Sequence, residues 1–321
     1  MAINKETYER ILKRKKMLDG LRPFNKGALN KLKETFDVEL TYNSNAIEGN
    51  TLTLGETRLV LEEGITIGGK TMKEHLEVTN HKQAIDFVES LIHKKKIGEM
   101  DILNLHAFIL DRIDPQNAGF YRSCRVRISG TDYSPPNPAK APELMKGLYR
   151  MLNEKAEPME QAAKIHMKFV DIHPFIDGNG RLARLLVNLY LMRNGYPPVI
   201  ILRAERKKYI STIVKARVEN DVSPFADFLA KAVERSLDIY LDCLGTRPQD
   251  YMTLAKAAKH SRYSQEYLSL LAREGKIGAV KFGRNWMITK EALEEYEKEH
   301  SPPKGVKGKY KMYKHRSELY D

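Results

Sequence analysis

Cysteine is nearly absent: Cys124 and Cys243 are the only two in 321 residues. That excludes a disulfide framework, and the two show no pairing pattern for a thiolate metal site. Two reduced thiols in a cytoplasmic protein are the expectation. Long apolar runs are missing as well. A membrane span needs ~20 such residues, whereas the richest stretch here, Leu185 to Met192, is broken by Asn188. The opening segment, MAINKETYERILKRKK, is too polar for a secretory signal. Acids are in deficit, 42 against 54 Lys and Arg, and the net charge of +12 favours an acidic partner. Part of the excess is local, since Ser301 to Asp321 hold six basic residues and two acids and read as a disordered tail. With 42% hydrophobic residues the chain is ordinary for a globular protein and long enough for two domains.

The most informative stretch is HPFIDGNGRLAR, residues 173 to 184. The preceding segment has helical spacing at Ala162, Ile165, Phe169 and Ile172. His173-Pro174 should end that helix, because a residue before proline is pushed out of helical geometry. Gly178 and Gly180 permit a tight turn, and a second helix is expected from about Arg181 to Arg193, with Leu182, Leu185, Leu186 and Leu189 as its buried stripe. A helix N-terminus then points several backbone N–H groups into one loop, a natural anion site. Arg181 and Arg184 share a helix face, and each guanidinium can fork onto phosphate oxygens. Asp177 is a hard oxygen ligand suited to a Mg²⁺ that bridges phosphates. His173 is the group here that can take a proton near neutral pH. Together they suggest transfer of a phosphate-containing group to a hydroxyl.

This segment resembles the signature of the Fic family, HxFx(D/E)GNGRxxR, and every fixed position is filled. The resemblance extends from about Asn43 to Leu244. It implies a mainly α-helical Fic core with a β-hairpin flap, and transfer of AMP from ATP to a Ser, Thr or Tyr hydroxyl of a protein, with pyrophosphate leaving. By that resemblance His173 is the base, Phe175 the anchor of the loop and Asp177 the Mg²⁺ ligand. Gly178, Asn179 and Gly180 form the phosphate cradle, and Arg181 and Arg184 clamp the β- and γ-phosphates. Relatives that act as kinases carry Lys where this chain has Gly180, so Gly180 favours nucleotidyl transfer. Tyr209 resembles a nucleotide-facing tyrosine. A downstream position often held by Asn falls near Arg217, which leaves the base preference open.

Two further segments fit the same family. Residues 119 to 136, GFYRSCRVRISGTDYSPP, alternate Val126 and Ile128 with polar residues and turn at Gly130, a hairpin pattern. This is similar to the family's flap, so Arg125, Val126, Arg127 and Ile128 are expected to dock a target protein by β-augmentation. SNAIEGN, residues 44 to 50, resembles the inhibitory motif (S/T)xxxE(G/N) through Ser44, Glu48 and Gly49. Glu48 would pair with Arg184 and compete with the γ-phosphate for the same fork.

Residues 1 to 40 read as helix with basic faces. The expected organisation is an N-terminal helical region over 1–95 with the inhibitory helix at about 43–50, a Fic core over 96–244, a linker at 245–250, a small domain over 251–300 and the basic tail 301–321. In the small domain Leu254, Ala257 and Ala258 mark one helix, and Ser264 caps a second that ends at Gly275. Residues 277–281 and 286–288 read as a β-wing around Gly283. This unit resembles an excisionase-like or MerR-like winged helix-turn-helix. The resemblance implies DNA contacts from Gln265, Tyr267, Ser269 and Arg273 on the recognition helix, and from Lys281 and Arg284 on the wing. Nine basic and seven acidic residues in 251–300 also leave room for a protein partner or homodimer contact. Two alternatives to AMP transfer remain at this point: removal of AMP from modified proteins by the same site, and a DNA-binding regulator with a nucleotide-sensing core.

Overall fold

The computed structural model describes residues 2–128, 133–244, 251–282 and 285–300. The chain divides into two units, Met1–Arg247 and Pro248–Asp321. The expected linker, the basic tail, the turn at Gly130, and the wing residues Gly283 and Arg284 lie outside the described residues.

The first unit is built of helices α1 (Lys5–Gly20), α2 (Lys26–Ile47), α3 (Leu54–Glu63), α4 (Met72–Leu91), α5 (Glu99–Leu110), α6 (Ala141–Asn153), α7 (Pro158–Ile172), α8 (Asn179–Arg193), α9 (Arg206–Glu219) and α10 (Ser223–Cys243). The helical reading of residues 1–40 needs one correction. Pro23 separates α1 from α2, because proline lacks the N–H of a continuing helix and its ring clashes with the preceding turn. Helices α3 and α4 each start with a full capping box, Thr53 with Glu56 and Thr71 with Glu74.

Helix α8 lies at the centre and packs against α2, α4, α5 and α7. The sequence suggested a single buried stripe, but every residue from Arg181 to Leu191 is buried. A helix enclosed on all sides belongs to the core of a larger domain. Each buried leucine there contributes about 1.5–3 kcal/mol. The polar Asn188 that interrupts the apolar run is satisfied: its Nδ2 donates to Val199 O at 3.0 Å, and its Oδ1 accepts from Val199 N at 2.6 Å. Central burial makes α8 a rigid platform, and its N-terminus is where the 173–184 motif sits. Among the described residues no helix is long and apolar enough to cross a membrane.

The centre of the expected flap hairpin, with its turn at Gly130, lies outside the described residues. No strand forms over 119–128 or 133–136 among the described residues, although half-buried Val126 and Ile128 still alternate with exposed Arg125 and Arg127.

The second unit contains β1 (Tyr251–Thr253), α11 (Leu254–Lys259), α12 (Gln265–Arg273), β2 (Ala279–Phe282), β3 (Asn285–Thr289) and α13 (Lys290–Glu299). The wing was anticipated as two strands. The structure adds β1, giving an antiparallel sheet of order β1-β3-β2 with Met252 opposite Ile288 and Lys281 opposite Trp286. Leu254, Ala257, Leu268, Leu271, Ile277, Ile288 and Leu293 form its separate small core.

Candidate active site

The site is assembled where α7 ends and α8 begins. His173 ends the helix as a left-handed C-cap, φ 47° and ψ 60°, with its N–H donating to Phe169 O at 2.9 Å. The proline after it disfavours continued helix, but would by itself favour an extended residue. Phe175 is fully buried and stacks on His106 with ring centroids 3.7 Å apart. Asn179 then locks the loop. Its Oδ1 accepts from Phe175 N at 3.1 Å, and its Nδ2 donates to Phe175 O at 2.9 Å. The side chain of Asn179 therefore shapes the loop, and only its backbone is left for the cradle.

Gly178 is the N-cap of α8, at φ 76°, and no side chain caps the helix. A Cβ at this position would sit 3.1 Å from Ile109 Cγ2 and 3.4 Å from His106 Nε2. Glycine is needed here for the backbone angle and for the close approach. The first amides of α8 are left without helical partners, which makes this end a ready anion site.

The arginines extend that site. Arg184 is 5% exposed. It donates from Nε to Ser44 Oγ at 3.0 Å and from Nη2 to Ser44 O at 2.8 Å, and it pairs with Glu48 at 2.8 Å. The expected juxtaposition of Ser44, Glu48 and Arg184 is thus present, at the C-terminal end of the long α2 and the turn just after it. Gly49, at φ 107°, makes that turn. Any side chain at position 180 would run into the Glu48 carboxylate. Arg181 lies 3.3 Å from Glu77 and 3.4 Å from Asp177. Buried Nε of Arg181 and Nη1 of Arg184 have no acceptor in hydrogen-bonding geometry. Such buried donors are costly unless a ligand oxygen completes them.

Asp177 is half-exposed, with Oδ1 accepting from Gly178 N at 2.6 Å. Among the described residues no group of three or more His, Cys, Asp or Glu gathers to hold a metal. A lone outward carboxylate fits Mg²⁺, which binds through one or two carboxylates plus substrate phosphates rather than a protein cage. His173 has its proton affinity lowered to about 4, chiefly by burial, with the Val170 carbonyl partly opposing that shift. At neutral pH the ring is unprotonated and able to accept a proton.

Tyr209 is 2% exposed and its hydroxyl meets His166 Nε2 at 2.7 Å, while Arg184 lies over its ring at 5.9 Å. The structure therefore places it beneath the arginine. Arg217 binds Asp171 through Nε at 2.8 Å and Nη2 at 2.7 Å. Sequence reasoning missed His106. Its Nδ1 accepts from Gly119 N at 3.0 Å, so Nε2 carries the proton donated to Asp177 O, also at 3.0 Å. Burial lowers its pKa to about 4 and keeps that tautomer neutral. One histidine on an apolar helix carries no pattern that could have announced this. In the second unit Gln265, Tyr267 and Arg273 are exposed along α12, and Lys281 lies over the Trp286 ring at 5.9 Å.

A helical core that carries an uncapped helix end, buried arginines and a neutral histidine defines the class. A Fic/DOC family model matches residues 96–191, and a helix-turn-helix domain model matches residues 251–301. The fold is similar to a Fic domain-containing signaling protein from Bacteroides thetaiotaomicron, with TM-score 0.70 and 30% identity, covering 74% of this chain and 98% of that one. It is also similar to Fic-1 from C. elegans, with TM-score 0.67 and 35% identity, covering 75% and 73%. The chain belongs to the Fic/DOC family. Among curated proteins it is 38% identical over 253 residues to the protein adenylyltransferase Fic of Drosophila sechellia, covering 77% of this chain and 51% of that protein. The chain thus spans about half the length of the curated relatives it matches.

Proposed function

We propose that this site transfers AMP from ATP to a hydroxyl of a protein, and that Glu48 holds it in check. The observation that carries the reading is the conjunction at one helix end: uncapped amides, two buried arginines with unfilled donors, and a neutral His173 beside them. The curated relatives are named protein adenylyltransferases, and the chemistry of the loop agrees.

The α8 amides and Arg181 and Arg184 would hold the phosphates. Asp177 would hold Mg²⁺, which supplies charge neutralisation when bound. The acceptor oxygen forms a bond to the α-phosphorus, the bond to the bridging oxygen breaks, and pyrophosphate leaves. The hydroxyl proton passes to His173 Nε2, since Nδ1 is buried. Tyr209 supports Arg184 from beneath. Two exposed free cysteines fit a reducing, cytoplasmic setting.

His173→Ala tests the assignment. It should bind ATP normally but lose about 10²–10⁴-fold in AMP transfer, measured with labelled ATP. Near-wild-type labelling would remove His173 from the reaction.

A second reading concerns residues 251–300 and a DNA partner. Residues 254–284 hold seven basic and two acidic side chains, while 285–300 hold two basic and five acidic. The basic excess therefore falls on α11 and on the segments either side of α12, which is itself balanced by Glu266 and Arg273, while acidic charge collects on α13. A basic stretch around the recognition helix is what a DNA reader uses. The full-length protein should shift duplex DNA with affinity that falls steeply as salt rises. Lys281→Ala and Arg273→Ala should weaken that shift, and absence of binding at low salt would refute the reading.

A further inference from the structure

Residues 121–128 leave the helical core and residues 133–137 rejoin it, and both legs are tied to the same four residues, 171–174. On the outgoing leg stands Arg122, only 3% exposed. Its backbone N–H donates to Pro174 O at 2.9 Å, and Nε donates to His173 O at 2.8 Å. Its Nη1 reaches Cys124 O at 3.0 Å, and Nη2 reaches Pro136 O at 2.5 Å. One guanidinium therefore binds the outgoing leg, the returning leg and the histidine itself. All these acceptors are backbone carbonyls. A buried cation held this way adds little stability, since desolvation is costly. What it supplies is geometry, because a planar fork can serve several carbonyls at once where an ammonium cannot.

The returning leg has its own tie. Tyr133 donates from its hydroxyl to Asp171 O at 3.1 Å, and its ring lies under Arg217 at 3.9 Å. Arg217 is in turn held by the Asp171 carboxylate. The arginine that stands near a base-contacting position in the family pattern is thus committed to a contact with the flap leg.

We propose that Arg122 and the Tyr133–Arg217–Asp171 stack are positioning residues. They clasp the acceptor-docking segment to the turn that carries His173. The inference rests on the transfer reading above. An acceptor strand laid along residues 125–128 would present its hydroxyl in a register set by this clasp. Misplacement by about 1 Å costs ~10²-fold in rate. The clasp touches neither phosphate nor Asp177, so ATP binding should be indifferent to it.

The test uses the full chain in a Glu48→Gly background. It compares Tyr133→Leu, which removes ring and hydroxyl, with Tyr133→Phe, which keeps the stack. Three readouts are self-labelling at saturating Mg·ATP, the ATP dissociation constant by calorimetry, and amide exchange over residues 121–137 and 171–174. Tyr133→Leu should lose at least ~10-fold in labelling, with ATP affinity unchanged and exchange faster in both segments. Tyr133→Phe should retain most of the parent rate. Arg217→Gln should behave like Tyr133→Leu, and serves if the leucine variant does not fold. Parent-like labelling by Tyr133→Leu, or equal losses in the Phe and Leu variants, would overturn the proposal. If the parent binds ATP yet labels nothing, the transfer reading fails and exchange alone decides. Faster exchange at 171–174 in Tyr133→Leu would then uphold the clasp, and unchanged exchange would reject it.

Discussion

Helix α12 begins with Ser264, whose hydroxyl accepts from Tyr267 N at 3.2 Å, and helices α3 and α4 begin with complete capping boxes. Helix α8 begins with Gly178, and no side chain caps it. The first three ends are closed by their own sequence, as stability alone would favour. The α8 end is left open, although every residue of the helix from Arg181 to Leu191 is buried. Burial holds α8 in place without a cap, so its amides are available to a ligand. The arginines repeat the contrast, one half-buried and one buried. Arg14 on α1 is matched by Asp238 and Glu234, whereas Arg184 keeps an unfilled Nη1 beside a single carboxylate, Glu48. Groups left incomplete inside a well-packed core point to an occupant that comes and goes.

The contrast can be broken from the open side first. Arg184→Ala should raise the ATP dissociation constant by about ten-fold or more, since charge-assisted hydrogen bonds contribute roughly 1.5–3 kcal/mol each. It should also free Glu48 from its partner. An unchanged ATP titration would mean that the open end does not receive phosphate. From the closed side the effect is smaller and of another kind. Ser264→Ala should cost about 1 kcal/mol of stability in the second unit, read by denaturant titration, and leave AMP transfer untouched. A loss of transfer from that change would contradict the division of labour between capped and uncapped ends.

Much of the open end was legible in the sequence because it is local. His173, Asp177, the glycines and both arginines fall within twelve consecutive residues, and each role follows from side-chain type and helix position. Even the distant Glu48 could be paired with Arg184 through the motif around Ser44. The supports were not legible, because they depend on long-range packing. His106 acts through Asp177 O and Gly119 N, and Arg122 through carbonyls fifty residues away; neither leaves a periodic trace. Strand β1 was missed for a similar reason, since three residues gain strand geometry only by pairing with β3. The flap is a different case, because its expected turn lies outside the described residues. Its alternation is present on the described leg, where half-buried Val126 and Ile128 alternate with exposed Arg125 and Arg127.

The central claim is that the open end of α8 is a transfer site whose phosphate fork is held by Glu48. The most direct test is the initial rate of AMP incorporation at saturating Mg·ATP for wild type and Glu48→Gly. Removing the carboxylate frees Arg184 and clears the space beside Gly180, so the rate should rise by on the order of 10²-fold, the scale of correcting a misplaced phosphate. Equal rates for the two proteins would contradict the account, and would make the Glu48–Arg184 pair a structural contact only.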